Sequence, residues 1–170
     1  MSYNSILELM KGGKVRRYHT ETLIGPEQTV SQHSWGVAVL VDILWPEASK
    51  ELVLAAIYHD AHEAELGDIP APTKRQISAE TDIMDEMEFA FHHRTNTLYE
   101  RNLSLNDKAR LKIADYLELV MFCQHQVKMG NTHIKKVGLL GVEYVNELLE
   151  RNPDIMSGES YTLAANILES

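Results

Sequence analysis

Apolar residues recur with helical spacing along nearly the whole chain, between short segments rich in Gly and Pro, and this pattern constrains the fold more than any other feature. No two segments alternate apolar and polar residues as the paired strands of a half-buried sheet do. The sequence also contains no internal repeat and no low-complexity run. It therefore predicts an all-α bundle of about six to seven helices.

Capping residues and helix breakers set the expected ends of the first helices. The segment SILELM is predicted to be a short helix stopped by a pair of glycines, and residues 14–26 an irregular or extended connector. Thr29 and Gln32 have the spacing of a capping box. We therefore expect the second helix, TVSQHSWGVAVLVDILW, to begin there and to end before Pro46.

The remaining helices are expected from the same pattern. SKELVLAAIYHDAHEAEL should form one continuous helix closed by Gly67. GDIPAPTK should be a stiff loop, because Pro70 and Pro72 disfavour the helical region for the residues before them. Farther along, the sequence predicts a long helix over about 78–101, helices that begin at Asn106 and Thr132, and a short C-terminal helix.

Length and composition are those of one soluble domain. A chain of 170 residues can bury a single core, and 44% hydrophobic with 24% charged residues is typical of globular proteins. No apolar run approaches the ~20 residues that cross a bilayer. The single cysteine, Cys123, excludes an intramolecular disulfide and fits a reducing compartment. We expect residues 1–170 to be one cytoplasmic domain with no membrane partner.

The distribution of charge narrows the possible ligands. A net charge of -9 argues against a general nucleic-acid binder, which normally has a broad basic face. The N-terminal segment differs, because it carries Lys11, Lys14, Arg16 and Arg17 against Glu8 alone. At physiological salt, interactions between exposed charges are screened beyond ~8 Å, so the distant acidic surface does not cancel the positive potential of this cluster. A small anion such as a phosphate group is therefore a possible ligand.

Two polar residues at the end of an apolar run indicate a possible metal site. His59 and Asp60 follow LVLAAIY, so their side chains should enter an interior where an unpaired charge is costly. A divalent ion accepts both an imidazole and a carboxylate. Adjacent helical residues point about 100° apart, so further ligands must come from other helices.

His33 and Asp115 are the candidates for those further ligands. His33 lies one turn inside the second helix on a face that apolar residues turn inward, and Asp115 interrupts the leucine stripe of LKIADYLELVMF. Alone, each has a more ordinary interpretation, as a core or surface histidine and as a hydrogen bond between helices. Together with His59 and Asp60, they would leave positions on a six-coordinate ion for water and substrate.

The other polar residues of HDAHEAEL divide into two groups. Glu63 lies one helical turn after the His-Asp pair and is placed to contact water at the ion, although a solvated surface glutamate would have the same spacing. HEAEL lacks the second histidine of a zinc-protease helix, because Leu66 is at that position. We therefore interpret His62 and Glu65 as polar residues at the helix end, with contact between His62 and a phosphate as the alternative, and His92 matches no ligand spacing.

Four motifs, in this order, resemble the HD-domain phosphohydrolase superfamily: RRYHT, TVSQHSWGVA, YHDAHEAELGDIPAPTK and LKIADYLE. Within it the chain is similar to the YfbR-like 5′-deoxynucleotidases and their phage relatives, the DatZ-type dATP triphosphohydrolases. The resemblance implies an all-helical HD domain that hydrolyses a deoxynucleotide phosphate ester. It also implies one divalent ion (Co, Mn, Zn, Ni or Mg) bound by His33, His59, Asp60 and Asp115.

The resemblance also implies roles for residues around the ion. Glu63 matches a catalytic glutamate and is expected to be the general acid/base. Asp68 matches a residue that contacts the sugar and helps to position the leaving group or the attacking water; the alternative for Asp68 is a turn-capping role. In the YfbR-like enzymes the residue after the arginine is typically Trp, whereas this chain has Tyr18.

Substrate contacts are expected on both sides of the ion. A guanidinium group can bind two phosphate oxygens, lysines add positive charge, and neighbouring aromatic and apolar residues can pack on the base or sugar. Solvated lysines and structural prolines are the common alternative. The expected contacts are Arg16, Arg17, Tyr18, His19, Ile69, Pro72, Lys74 and Lys112.

These observations leave three hypotheses for the function. The first is a metal-dependent hydrolase of deoxynucleoside 5′-phosphates, preferably a dATP triphosphohydrolase, with a 5′-deoxynucleotidase that hydrolyses dNMP as the alternative. The second is a nucleotide sensor without turnover, and the third is a helical scaffold with ordinary core hydrogen bonds. EMEFAFHH on a long helix, together with the resemblance, indicates a homo-oligomer, either a dimer or a hexamer.

Overall fold

The computed structural model describes residues 2–170, apart from the side chain of Pro72. Within this range the chain is helical, and its only extended pairing is an isolated bridge. The helices are α1 Tyr3–Gly12, α2 Val30–Leu44, α3 Lys50–Tyr58, α4 Glu63–Leu66, α5 Ala71–Glu80, α6 Ile83–Thr95, a 3₁₀ helix Glu100–Asn102, α7 Leu105–Lys128, α8 Lys135–Arg151 and α9 Gly158–Glu169. The all-α prediction is confirmed. The expected number of helices is too low, because the sequence does not predict α4 and α5 as separate helices.

Helix α2 begins as the sequence predicts. The Thr29 side chain accepts a hydrogen bond from the Gln32 backbone N–H, and the Gln32 side chain accepts one from the Thr29 N–H at 2.8 Å. These bonds satisfy donors that a helix N-terminus otherwise leaves unpaired. The helix ends before Pro46, and the irregular connector runs beside its first turn through a bridge between Arg16 and Thr29. The connector is therefore held against the start of α2.

The third predicted helix is not continuous, because four residues of turn separate α3 from α4. His59 Nδ1 donates to the Ala56 carbonyl oxygen at 2.9 Å, and His62 Nδ1 donates to the His59 carbonyl oxygen at 2.9 Å. In a continuous helix, these oxygens would accept from backbone N–H groups four residues further on. Instead the Glu63 N–H donates to the Asp60 carbonyl, three residues back. The two imidazoles thus divide the helix.

GDIPAPTK is only partly a loop. Gly67, with a φ of 74°, ends α4, but α5 begins at Ala71 and contains Pro72 in its first turn. Proline is tolerated there because the first N–H groups of a helix have no intrahelical partner and because its fixed φ suits a helix. The prediction of a loop through Lys74 is therefore wrong.

The long helix expected over about 78–101 is divided as well. Helix α5 ends at Glu80, and Thr81 and Asp82 separate it from α6. Helix α6 stops at Asn96, whose φ of 57° is left-handed, and the 3₁₀ helix follows. Asparagine is one of the few residues that adopt this conformation at little cost, so it is a common helix stop. Asn96 therefore accounts for the end of α6.

Helix α7 lies at the centre of the structure and packs against α2, α3, α8 and α9. Ser104 caps it, not the predicted Asn106, and α8 begins at Lys135, not at Thr132. The predicted C-terminal helix is confirmed as α9. The core includes these buried apolar residues of α2, α3 and α7: Val37, Val41, Leu44, Leu52, Ala56, Ile113 and Leu117. Val145 of α8 and Ala164 of α9 pack against them.

Two expectations concern the chain as a whole, namely that it does not cross a membrane and that it forms one domain. Among the described helices, none combines the length and the apolar character that a bilayer crossing requires. The Trp45 Nε1 donates to the Ile155 carbonyl oxygen at 2.7 Å and so joins the C-terminal segment to the core around α2. That residues 1–170 are a single domain stays a prediction.

Gly12 allows α1 to approach the turn between α3 and α4. A Cβ atom at Gly12 would lie 2.9 Å from the Ala61 Cα and closer still to the Ala61 carbonyl oxygen. Backbone atoms cannot move aside as the end of a flexible side chain can. Only glycine therefore fits, and α1 is seated directly against the residue that follows Asp60.

Replacing Gly12 by Ala should lower the free energy of unfolding by roughly 1–3 kcal/mol, the usual range for overpacking. Gly158 is the matched control, because a Cβ atom there meets nothing within 4 Å. Gly158→Ala should leave the free energy of unfolding unchanged or raise it by up to ~1 kcal/mol. Urea unfolding followed by circular dichroism measures both variants. Equal values for the two would contradict the close contact.

Candidate metal centre and active site

Three segments bring the four predicted metal ligands together. His33 is in α2, His59 and Asp60 are in the turn after α3, and Asp115 is in α7. His33 Nε2 lies 3.6 Å from Asp60 Oδ2 and 3.2 Å from Asp115 Oδ1. His59 Nε2 lies 3.3 Å from Asp60 Oδ2, and one atom each of His33, His59 and Asp60 lies within 4.8 Å of the others. The four side chains thus surround one small volume, which we call the HD cluster.

The second nitrogen atom of each imidazole in the HD cluster is held by a hydrogen bond. His33 Nδ1 lies 2.5 Å from Glu118 Oε2, and His59 Nδ1 donates to the Ala56 carbonyl oxygen. Because carboxylate and carbonyl oxygens are acceptors, both Nδ1 atoms carry a proton, and each ring in its neutral form has its lone pair on Nε2. Both Nε2 atoms are buried and have no hydrogen-bond partner among the described residues. This donor set fits a divalent cation, whose histidine ligands typically donate their other N–H in this way.

Neighbouring positive charges keep the two carboxyl groups of the HD cluster ionised. Burial opposes the ionisation of Asp60, but His59 and Arg17 outweigh it and hold the pKa of Asp60 well below its usual range. Burial likewise opposes the ionisation of Asp115, yet Lys112, 2.8 Å from its Oδ2 atom, lowers the pKa of Asp115. Burial lowers the pKa of His59, whereas the charge of Asp60 raises it, to about 9 in all. The cluster is therefore built around anionic groups that attract cations.

Glu63 begins α4, not a continuation of the helix that precedes His59, and its carboxyl group lies near the HD cluster. Its Oε2 atom is buried and has no hydrogen-bond partner among the described residues. Burial, followed by repulsion from Asp60 and Asp68, raises the pKa of Glu63 to about 9. A cation beside Asp60 would offset that repulsion and lower the pKa of Glu63. Such a carboxyl group is suited to accept and release a proton.

One of the two predicted arginines reaches the HD cluster. Arg17 is buried, and its Nη1 atom donates to Asp60 Oδ2 at 2.9 Å. Arg16 is exposed and forms an ion pair with Glu27 at 2.9 Å. The two side chains point in different directions because adjacent residues of an extended chain face opposite sides. Arg17 therefore adds positive charge directly beside a predicted metal ligand.

Tyr18 and Asp68 are linked at the edge of the site. The Tyr18 N–H donates to Asp68 Oδ2 at 2.7 Å, and the Tyr18 ring stacks on Phe122 with centroids 4.7 Å apart. Tyr18 has a φ of 58°, a left-handed conformation that is uncommon for a residue with a bulky side chain. Strained backbone of this kind is frequent at ligand sites. Asp68 thus has a structural contact that the sequence does not indicate.

A cavity of about 490 Å³ opens beside this edge and contains several predicted substrate contacts. Arg16, His19, Asp68 and Ile69 all line it. His19 Nδ1 lies 3.9 Å from Asp68 Oδ2, and the His19 side chain is half exposed. The structure therefore brings these residues together in what we call the loop cavity.

The other predicted substrate contacts lie elsewhere. Lys112 contacts Asp115 of the HD cluster, and Lys74 Nζ lies 3.9 Å from Glu88 Oε2 of α6. The side chain of Pro72 lies outside the described residues. Only Lys112 and Arg17 of the predicted cations are therefore in contact with the HD cluster.

Two glutamates at the site are not singled out by the sequence. Glu118 lies beside His33 Nδ1 and accepts a hydrogen bond from Gln28 Nε2 at 2.6 Å. Its spacing of one helical turn from Asp115 could have indicated a shared face. Glu100 and His59 line a cavity of about 280 Å³, the His59 cavity, and burial raises the pKa of Glu100. No local pattern indicates that the 3₁₀ helix carrying Glu100 reaches the site.

Similarity to known proteins extends over most of the chain. A family model described as 5′-deoxynucleotidase YfbR-like matches residues 3–152. A dATP triphosphohydrolase of Salmonella phage PMBT28 is 32% identical over an alignment of 142 residues, and the match covers 71% of this chain and 68% of that protein.

Two solved structures have the same fold. The cyanophage S-2L HD phosphohydrolase DatZ, bound to dA and one catalytic Zn²⁺ ion, has a TM-score of 0.71 and 17% identity over 96% of this chain and 93% of its own. A protein of Pyrococcus horikoshii OT3 has a TM-score of 0.68 and 21% identity over 99% of each chain. The fold is therefore that of the HD phosphohydrolases. Because the family model matches most of the 170 residues, the chain belongs to the YfbR-like 5′-deoxynucleotidase family.

Proposed function

We propose that this deoxynucleotide phosphohydrolase acts on a dNTP, with dATP preferred, and releases the deoxynucleoside and triphosphate. The observation that carries the proposal is the HD cluster, in which two buried Nε2 atoms face carboxylate oxygens and have no hydrogen-bond partner among the described residues. The preference for dATP is supported by the 32% identical phage relative, a dATP triphosphohydrolase. The dA bound in DatZ supports the same base.

The proposed ligands of one divalent ion are His33, His59, Asp60 and Asp115. Two imidazoles and two carboxylates suit Zn, Co, Mn or Ni better than Mg, which prefers oxygen ligands. When bound, such an ion lowers the pKa of a water molecule and withdraws negative charge from phosphate oxygens. The catalytic Zn²⁺ of DatZ makes zinc the first ion to test.

Glu63 is the proposed general acid/base. The oxygen of a water molecule attacks the α-phosphorus, and the bond from phosphorus to the sugar O5′ breaks. Glu63 takes a proton from the water and supplies one to O5′, so that a neutral deoxynucleoside leaves. The buried, unpaired Oε2 atom of Glu63 and its position near Asp60 support this role. Asp68 is proposed to position the sugar.

Arg17 and Lys112 are proposed to balance the charge of the substrate phosphates. Each contacts a carboxylate of the HD cluster, Arg17 through Asp60 and Lys112 through Asp115. Charges fixed in a partly buried site act on a phosphoryl group more strongly than they would in water. A phosphate group beside the ion would therefore be near two cationic side chains.

The nucleoside is proposed to bind towards the loop cavity. His19, Asp68 and Ile69 line it, and Asp68 accepts a hydrogen bond from the Tyr18 backbone. An aromatic ring and an apolar side chain can hold a base between them without requiring a charge. Arg16, Pro72 and Lys74 are also proposed to contact the substrate here. Arg16 lines the loop cavity, and Lys74 is in α5, directly after the lining residue Thr73.

Hydrolysis of dNMP to deoxynucleoside and phosphate is the second candidate, and the description of the family favours it. Both reactions use the same attack on phosphorus and the same leaving O5′. They differ in the length of the phosphate chain that the site must hold. A sensor without turnover is the weaker alternative, because Glu63 and all four ligands of the HD cluster are present.

Assembly and location are proposed from the sequence. The net charge of -9 and the single cysteine support a cytoplasmic protein without a nucleic-acid partner. A homo-oligomer, either a dimer or a hexamer, is proposed from the resemblance and from the exposed apolar residues of α6, which include Ile83 and Phe89.

Product analysis distinguishes the two candidate reactions. We expect the metal-loaded protein, given dATP, dGTP, dAMP or ATP with Zn, Co, Mn or Mg, to release triphosphate from dATP and to leave ATP largely intact. Anion-exchange chromatography separates triphosphate from phosphate. Phosphate release from dAMP alone would select the second candidate, and no turnover of any deoxynucleotide would contradict the proposed function.

Glu63→Gln should lower the turnover of the deoxynucleotide substrate at least about 100-fold, because an amide cannot take a proton from water. Its metal content, measured by elemental analysis, should not change, since Glu63 is not a proposed ligand. Glu65→Gln is the control, because Glu65 pairs with Arg94 on the exposed side of α4. Turnover by Glu63→Gln within a few-fold of that control would defeat the proposed role.

Removing the charge behind His33 should weaken metal binding. Glu118→Gln keeps the shape of the side chain but loses the ionised acceptor of His33 Nδ1, so the metal affinity should fall about 10- to 100-fold. Equilibrium dialysis of Zn²⁺ against metal-free protein measures the change. Glu143→Gln, at an exposed position of α8, should bind Zn²⁺ as the unmodified protein does. The same affinity in both variants would show that Glu118 has no part in the centre.

A further inference from the structure

A second group of metal-binding side chains lies next to the HD cluster. His62, in the turn after α3, faces Glu88 and His92, which are one turn apart on α6. One ligand atom of each lies within 4.8 Å of the others, and His62 Nε2 is 3.7 Å from Glu88 Oε2. Both histidines are buried, with 6% and 7% of their surface exposed. The sequence alone indicates neither contact, because it places His62 as a polar residue at the helix end and gives His92 no ligand spacing, whereas the structure brings both beside Glu88.

The tautomer of His62 follows from its hydrogen bond. His62 Nδ1 lies 2.9 Å from the His59 carbonyl oxygen. A carbonyl oxygen can only accept, so Nδ1 carries the proton. The neutral ring then has its lone pair on Nε2, the atom that faces Glu88. This is the arrangement of a histidine ligand whose other nitrogen is fixed by the backbone.

The tautomer of His92 follows from a chain of hydroxyl groups. Thr95 Oγ1 donates its one proton to the Phe91 carbonyl oxygen at 2.9 Å. In the 2.8 Å contact between Thr95 Oγ1 and Thr97 Oγ1, Thr97 must therefore be the donor. With that proton used, Thr97 accepts from His92 Nδ1, which lies 2.9 Å away. The neutral His92 ring thus also has its lone pair on Nε2.

We propose that His62, Glu88 and His92 form a second metal site, for a divalent transition-metal ion such as Zn²⁺ or Co²⁺. Two imidazoles and one carboxylate are a donor set that such ions prefer, and three protein ligands leave a coordination position for water or another oxygen ligand. This site does not depend on which deoxynucleotide the protein hydrolyses. It is separate from the HD cluster, with which it shares no side chain.

The separation of His62 and Glu88 requires only a small contraction around the ion. With bonds of about 2.0–2.1 Å, two ligand atoms of a tetrahedral zinc site lie about 3.3–3.4 Å apart. The 3.7 Å separation of His62 Nε2 and Glu88 Oε2 is close to that value. The Glu88 side chain is 31% exposed and can move, whereas the two buried rings are fixed by their Nδ1 hydrogen bonds. The carboxylate is therefore the ligand that adjusts.

The charges near the site are compatible with a bound cation. Lys74 Nζ lies 3.9 Å from Glu88 Oε2, but the Lys74 side chain is 44% exposed and can withdraw into solvent. Asp85 lies one turn before Glu88 and lines the His59 cavity with it, which adds negative charge on the same side. Because Glu88 and His92 line the cavity together with His59, the free coordination position has access to that space.

Metal counting on single-site variants tests the proposal. Metal-free protein is dialysed against Zn²⁺, and bound zinc is measured by elemental analysis; the visible absorption of Co²⁺ provides a second readout. We expect two ions per chain for the unmodified protein and one for Glu88→Gln, which removes a ligand charge at a partly exposed position. Asp115→Asn, which disables the HD cluster, should also retain one ion.

His93→Ala is the matched control, because His93 is next to His92 on α6 but exposed and outside the cluster. It should bind two ions. Circular dichroism of each variant verifies that it is folded. Two results would overturn the second site. In the first, the unmodified protein binds one ion and Glu88→Gln also binds one; in the second, Glu88→Gln binds two. A single ion lost in Glu88→Gln and kept in Asp115→Asn would support the second site while contradicting the proposed metal centre.

Discussion

The Nδ1 proton of His59 is donated to the carbonyl oxygen of Ala56, and both the backbone path and the chemistry of the site depend on this hydrogen bond. It occupies an acceptor that a continuing helix would use, and the chain turns more tightly as a result. It also fixes the ring so that Nε2 faces Asp60. His62 makes the same kind of bond one turn later, which aims a second imidazole at α6. The same local interaction, made twice, thus coincides with the end of a helix and fixes the orientation of two potential ligands.

The fold places positive charge beside a buried carboxylate that would otherwise be too costly to ionise. Asp60 is buried, and a buried carboxylate is stable only with cationic or hydrogen-bonding partners. Arg17 is one such partner, and it reaches Asp60 because the connector before α2 is fixed by backbone hydrogen bonds from Arg17 to Gln28 and from Val30 to Val15. The irregular segment is therefore as necessary to the site as the helices. Its register decides that Arg17, and not Arg16, lies inside.

The all-α fold and the residues proposed for the HD cluster can be found from the sequence, because helical periodicity is local and each candidate ligand interrupts an apolar pattern, although several helix ends cannot. The capping box at Thr29 can be recognised without the structure, and Asp115 is conspicuous on a leucine stripe. The division after α3 could not be predicted, because periodicity does not reveal that a side chain will take a backbone acceptor. Glu118 was missed for a related reason: a glutamate one turn from Asp115 looks like a solvated residue until His33 lies beside it. The pairing of His62 with α6 is a tertiary contact that no spacing in the chain encodes.

The four residues of the HD cluster come from α2, the turn after α3, and α7, segments that are distant along the chain. An unfolded chain cannot hold them around one ion, so an ion bound there would also act on the folding equilibrium. At a free concentration 100 times the dissociation constant, it would add about 2.7 kcal/mol to the free energy of unfolding. Cellular proteases remove the unfolded fraction, so the lifetime of the protein would then follow the supply of metal. Metal shortage would reduce the amount of the enzyme as well as its activity.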